Sequence, residues 1–285
     1  MSAPDPRAAS PKVASATDPL LAAVRGGVRL IELGQPFFTG MPCSPNHPGF
    51  RMTLARRHGD AVRPDGGSAA NEIIVTGGHV GTHIDALSHV SQNGALHGGV
   101  DAYEAQRGGA FGTHGAEHLP GLLRRGVLLD VARLHETDFL PGGYEITADD
   151  LQRAARQADV RPEPGDVVLI RTGWSRLFAD PAAYLGSESG VPGVGVEAAQ
   201  WLANHDVIAT GADTTAYECV PPGAGHRVLP VHRLLLVESG IYIIEHLALE
   251  ELSAARRAEF VFVLAPLRIV GGTGSPVRPL AAVSR

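Results

Sequence analysis

Apolar and polar positions alternate along the chain in a pattern that predicts a sheet with helices set between its strands. VRLIEL (28–33) reads as a strand and is followed by a segment rich in proline and glycine, PFFTGMPCSPNHPGF (36–50). RMTLARRH and NEIIVTG read as strands around a Gly-rich connection. GVLLDVARL (126–134) has the continuous apolar run of a buried strand. ITADDLQRAARQADV opens with Thr147 and places Asp150 three residues on, the capping box that starts a helix. PGDVVLIRTGW is a turn and a buried strand, VEAAQWLANHD a helix, and VIATGAD a strand. LPVHRLLLVES reads as a further helix, GIYIIEHL as a strand, and EFVFVLAPLRIV as the last strand. Strands outnumber helices and several helices separate strands, which predicts an α/β fold with a substantial mixed sheet.

At 285 residues the chain can bury a sizeable core as one domain. No linker-like shift in composition follows residue 20, so residues 20–285 are read as one catalytic domain. Residues 1–19, rich in Ala, Ser and Pro, are read as a disordered tail. The tail has no apolar core like that of a signal peptide, and the two cysteines, Cys43 and Cys219, form no disulfide framework. A reduced, cytoplasmic compartment is expected. The net charge is −6 with no basic block, which argues against nucleic acid and anionic membrane partners. No apolar run approaches the roughly 20 residues needed to span a bilayer.

One segment departs from this ordinary picture. GHVGTHIDALSHV (78–90) concentrates His79, His83, Asp85 and His89 in a chain with 13 histidines in all. All four positions are odd, so a strand running through the segment would project them to one side. A helix would swing Asp85 about 200° away from His83. Two imidazoles and a carboxylate are a common ligand set for catalytic zinc or manganese and leave a position open for water. The expectation is that His79, His83 and Asp85 hold a divalent metal, Zn²⁺ or Mn²⁺, while His89 serves as acid/base.

Farther along, His232 lies in a helical pattern and Glu245 in an apolar strand. A buried carboxylate needs a partner; the alternative is the solvent face of an edge strand. Asp213, Thr214 and Glu218 follow a strand, where either a site or a plain turn is expected. The remaining histidines, His47 and His246 among them, read as surface or hydrogen-bonded residues. Phe37, Phe38, Phe111, Trp174 and Tyr217 are candidate pocket walls, or core. GGTGSP lacks the lysine of a P-loop, and neither a dinucleotide fingerprint nor a serine-hydrolase elbow is complete.

HVGTHIDALSH resembles the H-x-G-T-H-x-D-x-P-x-H signature of the cyclase family, which includes kynurenine formamidase and isatin hydrolase; Leu87 stands where the signature has proline. The flanking segments are similar over most of residues 28–282. The resemblance implies a swivelling β/β/α fold with a mixed sheet, in a homodimer or homotetramer. It implies a metal-dependent hydrolase of a small amide, cyclic amide or lactone. It gives His79, His83 and Asp85 as metal ligands and His89 as the catalytic residue, with His232 and Glu245 helping to hold a second metal. The same groups could also serve a ring-closing or dehydrating cyclase, or, with His83, Asp85 and a distal histidine as a facial triad, a non-haem iron oxygenase.

Overall fold

Asp18 caps the first helix, α1 (Pro19–Gly26), by accepting a hydrogen bond from the Leu20 backbone N–H, with proline at the first helical position. The computed structural model describes residues 18–225 and 227–284; the expected tail lies, through residue 17, outside the described residues. The strands are β1 (Val28–Glu32), β2 (Arg51–Arg56), β3 (Asn71–Val75), β4 (His83–Asp85), β5 (Leu122–Asp130), β6 (Glu145–Ile146), β7 (Val167–Arg171), β8 (Gly193–Val194), β9 (Ala209–Ala212), β10 (Tyr242–Glu245), β11 (Glu259–Leu264), β12 (Gly274–Pro276) and β13 (Leu280–Ser284). The later helices are α2 (Ala102–Ala105), α3 (Val131–Leu134), α4 (Ala148–Ala158), α5 (Pro181–Leu185), α6 (Val196–Ala203), α7 (Pro230–His232) and α8 (Glu250–Ala254). Among the described residues no helix is long and apolar enough to cross a membrane.

Nine strands form one mixed sheet in the order β1-β13-β11-β5-β7-β9-β10-β4-β12. Its centre, β5-β7-β9-β10, is parallel, and the strands on either side pair antiparallel. The central strands are buried on both faces, which is why they read as unbroken apolar runs. Val127, Leu129, Val168, Ile170 and Ile243 face a core shared with α4 and α6. Leu128, Val167, Leu169 and Ile244 face the opposite core, with Phe262 and Leu252. Each such side chain contributes about 1.5–3 kcal/mol on burial. The capping box at Thr147 forms as expected: Thr147 Oγ1 accepts from the Asp150 N–H at 3.2 Å, and Asp150 Oδ2 accepts from the Thr147 N–H at 3.0 Å.

Three sequence expectations need correction. The run 126–134 is not all strand: β5 ends at Asp130, whose carboxylate accepts from the Arg133 N–H and starts the one-turn helix α3. β11 is not the last strand, because β12 and β13 follow it and return to opposite regions of the sheet. No strand runs through residues 79–89; only His83–Asp85 is extended in a ladder. A two-stranded ribbon, β2-β3, stands apart from the large sheet with every strand residue exposed.

Candidate metal centre

The site forms where the short strand β4 is clamped between β10 and β12. The register sets Glu245 opposite His83 and Gly274 opposite Asp85. Glu245 therefore sits on an interior strand, 6% exposed, and not on the solvent face of an edge. His79 and His89 reach the same place from turns. Gly81 bends the chain before β4 with φ +62°, and a Cβ there would lie 2.7 Å from both Met41 Cε and Phe37 Cζ. After β4, the His89 N–H bonds to the Ala86 carbonyl at 2.9 Å, closing a four-residue turn with Leu87 at its second position. That is the position in which proline is favoured. Thr82 braces the bend: its hydroxyl donates to the His246 carbonyl at 2.7 Å and accepts from the Gln35 N–H at 2.8 Å.

Four groups close a ring. His83 Nε2 lies 3.5 Å from both Asp85 Oδ1 and Glu245 Oε2. His232 Nε2 lies 3.2 Å from Glu245 Oε1 and 3.7 Å from Asp85 Oδ2. Ligand atoms bonded at roughly 2.0–2.1 Å to one tetrahedral ion sit about 3.3 Å apart, so this spacing suits a cation. The other ring nitrogens are tied back: His83 Nδ1 to the Gly81 carbonyl at 2.8 Å, and His232 Nδ1 to Glu218 Oε1 at 2.5 Å. Such outer hydrogen bonds fix the tautomer that aims Nε2 inward. Asp85 Oδ2 is fully buried and has no hydrogen-bond partner among the described residues. An orphaned carboxylate oxygen is costly unless something positive meets it.

Around the ring the ligand-type atoms fall into three overlapping groups: His79, His83 and Asp85; Asp85, His89 and His232; His83, Glu245 and His246. The structure thus brings together all six residues singled out in the sequence. His79 Nδ1 meets Asp85 Oδ1 at 2.8 Å, its Nε2 meets Thr273 Oγ1 at 2.8 Å, and its ring stacks on His89 at 3.8 Å.

The protonation states follow from burial and charge. Burial works against ionised Asp85, yet the neighbouring histidines outweigh it and hold the carboxyl well below its ordinary range. Burial alone would lower His232, but Glu218 and Glu245 push it up to about 10. His83 is raised for the same kind of reason, through Asp85 and Glu245. His89 goes the other way: burial, with positive neighbours, takes it down to about 3, so it rests neutral.

Two histidines read as ordinary in the sequence, His47 and His246, line the same cavity of about 180 Å³ together with Ser44, Asn46 and Thr215. His246 has φ +55°, unusual for a residue with a side chain, and lies directly after Glu245. GGTGSP supplies Thr273 and Gly274, and a Cβ at Gly274 would come within 2.6 Å of His79 Cε1. Among the candidates after β9, Glu218 reaches the centre and Asp213 does not. Asp213 accepts from Thr172 and Gly173 at 2.6–2.8 Å, and burial pushes it up to about 6. None of the five aromatic candidates lines the cavity among the described residues. Trp174 and Tyr217 are core.

Fold and site together define a mixed α/β protein with a buried, histidine-rich cation-type centre. The Cyclase family model, described as "Putative cyclase", matches residues 31–219, and the chain belongs to that family. Isatin hydrolase from Roseibium aggregatum is 28% identical over 227 residues, 78% of each chain. A crystal structure of a novel cyclase superposes with a TM-score of 0.81 at 30% identity, covering 92% of this chain and 89% of the other. Isatin hydrolase A from Ralstonia solanacearum superposes with a TM-score of 0.71 at 26% identity, covering 93% and 96%. The chain is thus a cyclase-family protein, similar to isatin hydrolase over most of its length.

Proposed function

We propose that this chain is a divalent-metal-dependent amidohydrolase acting on a small non-peptide amide, cyclic amide or lactone. The observation that carries the reading is the buried Asp85 Oδ2, without a hydrogen-bond partner among the described residues, beside His83, His232 and Glu245. The residues present fit a cation: His79, His83 and Asp85 would hold it and leave a position open, while His232 and Glu245, beside Asp85 and His83, would help to hold a second. The nitrogen and oxygen donor set suits Zn²⁺ or Mn²⁺. When bound, such an ion supplies Lewis acidity, lowering the pKa of a water and polarising a carbonyl.

The chain's own groups do the rest. Hydrolysis joins the water oxygen to the carbonyl carbon, breaks the C–N or C–O bond, and delivers a proton to the leaving atom. His89 lines the cavity and rests neutral, so it can accept the water proton. Passing that proton on to the leaving nitrogen or oxygen completes the step. The cavity volume of about 180 Å³ supports a small molecule as substrate. The fully exposed ribbon β2-β3, with Met52, Leu54, Ile73, Ile74 and Val75 between 48% and 56% exposed, supports a homodimer or homotetramer. A two-stranded ribbon is marginal by itself and gains from being covered. The cytoplasm is the proposed compartment, supported by the two free thiols.

The test is a panel of isatin, N-formylkynurenine and simple lactones offered to the metal-loaded enzyme and its His89→Gln variant. Turnover of one of them, falling by about 10²–10⁴ in the variant with metal content unchanged, is expected. Silence across the panel with metal bound would overturn the hydrolase reading.

A further inference from the structure

Two cavities adjoin at Ser44, Asn46 and Thr215, which line both. The inner one, about 180 Å³, is lined by the histidines of the candidate metal centre and by Glu245. The outer one measures about 560 Å³. Small-molecule sites usually occupy roughly 300–1,000 Å³, so the inner cavity alone is cramped and the two together are not.

The linings differ in charge. The inner compartment is crowded with ionisable groups. In the outer compartment the one charged side chain among the described residues is Arg227. It is exposed, and its guanidinium makes no ion pair or hydrogen bond with any described residue. Most arginines around the fold's buried acids are engaged: Arg171 with Asp130 and Glu250, Arg125 with Asp166, Arg176 with Glu250. The loop bearing Arg227 borders open space, since a Cβ at Gly223 or Gly225 would meet nothing within 4 Å.

The junction carries a second observation. Thr215 is 4% exposed, and its Oγ1 has no hydrogen-bond partner among the described residues. Two residues before it, Asp213 is anchored by hydrogen bonds from Thr172 and Gly173. A buried hydroxyl with nothing to bind is a group waiting for a partner.

We propose that one substrate occupies both compartments: an amide or lactam whose scissile bond lies among the histidines, whose middle hydrogen-bonds Thr215, and whose far end carries an anionic group paired with Arg227. A guanidinium forks onto carboxylates and related anions. On a chain with net charge −6, an anion gains no general attraction, so a single local arginine decides the preference. The proposal rests on the hydrolase reading and narrows its substrate class.

The experiment uses the full chain, a matched pair of probes, formanilide and its para-carboxymethyl derivative, and two readouts. Turnover is followed on metal-loaded enzyme; binding is followed by calorimetry on metal-free protein. The wild type should prefer the acid by about fivefold in kcat/KM, a modest factor because Arg227 is exposed and screened. Arg227→Ala should abolish the preference through KM and leave formanilide turnover unchanged; Arg227→Lys should restore part of it. Thr215→Val should raise KM for both probes. Equal use of both probes by the wild type, or a preference that survives Arg227→Ala, overturns the proposal and leaves the hydrolase reading standing. Arg227-dependent binding of the acid without turnover of either probe supports the extended site and counts against the hydrolase reading instead. Loss of binding of both probes in Arg227→Ala would make the residue structural and overturn its role.

Discussion

Glu218 grips His232 by ring and backbone together: its Oε1 accepts from Nδ1 at 2.5 Å and from the His232 N–H at 3.0 Å, while Oε2 accepts from the Val231 N–H at 3.2 Å. One buried carboxylate thereby starts α7 and turns the imidazole so that Nε2 faces Glu245 and Asp85. Outer partners of this kind typically tune metal affinity by about 10–100-fold. Glu218→Ala is expected to lower affinity for Zn²⁺ or Mn²⁺ by that order, measured by competition with a chromophoric chelator. Glu218→Gln, which keeps an acceptor, should lose less. An unchanged affinity in the alanine variant would show that Glu218 serves the helix alone.

Cation uptake should depend on pH in a definite direction. Burial works against His232 carrying charge, but Glu218 and Glu245 push its pKa up to about 10. A histidine raised above its ordinary value of about 6.5 adds stability that is complete below that value and is lost as pH rises through the folded one. A cation needs the same Nε2 lone pair, so binding must expel the proton. Apparent metal affinity is expected to climb from about pH 6 to pH 8, with proton release detectable by calorimetry in buffers of different ionisation enthalpy. Flat affinity over that range would contradict the account.

Much of this centre could be read before any fold was known. His79, His83, Asp85 and His89 are dense enough in sequence to announce themselves, and Glu245 is conspicuous in an apolar strand. Strand parity is nonetheless not what gathers them, since only His83–Asp85 is strand. Gly81 breaks the extended chain, and His79 arrives by a turn, stacked on His89. What the sequence hid is what long-range pairing assembles. His83 faces Glu245 because β4 pairs with β10, and Thr273 reaches His79 because β12 returns to β4. No local spacing encodes those registers. His47 and His246 join the cavity for the same reason, and the one local signal is that His246 directly follows Glu245. The central sheet was legible because its strands are apolar on both faces. α3 was hidden inside the apolar run by a cap at Asp130.

Gly81 is the position where a single methyl should do most harm outside the ionisable groups. Its φ of +62° strains any L side chain, and the added Cβ would press on Met41 and Phe37. Gly81→Ala is expected to cost about 1–3 kcal/mol, read as a lower urea midpoint with an unchanged slope. Because the Gly81 carbonyl holds His83 Nδ1, metal affinity should fall in parallel. Normal affinity in a destabilised variant would separate the bend from the centre.

Asp150 offers a test of the fold away from the site. It closes the capping box of α4 and also meets His135 Nε2 at 2.9 Å and the Tyr144 hydroxyl at 3.2 Å. Burial alone would raise its pKa; the hydrogen bonds from Thr147, His135 and Tyr144 outweigh burial and lower it. A carboxylate depressed in the folded state adds stability above its unfolded pKa, about 3.9, and loses it as pH falls through the folded value. Asp150→Ala is therefore expected to cost about 1 kcal/mol near neutral pH, with the penalty shrinking as the wild-type carboxyl becomes protonated. Urea midpoints of both proteins at neutral and strongly acidic pH decide the matter. A penalty of the same size at both would mean that Asp150 acts by shape and not by charge.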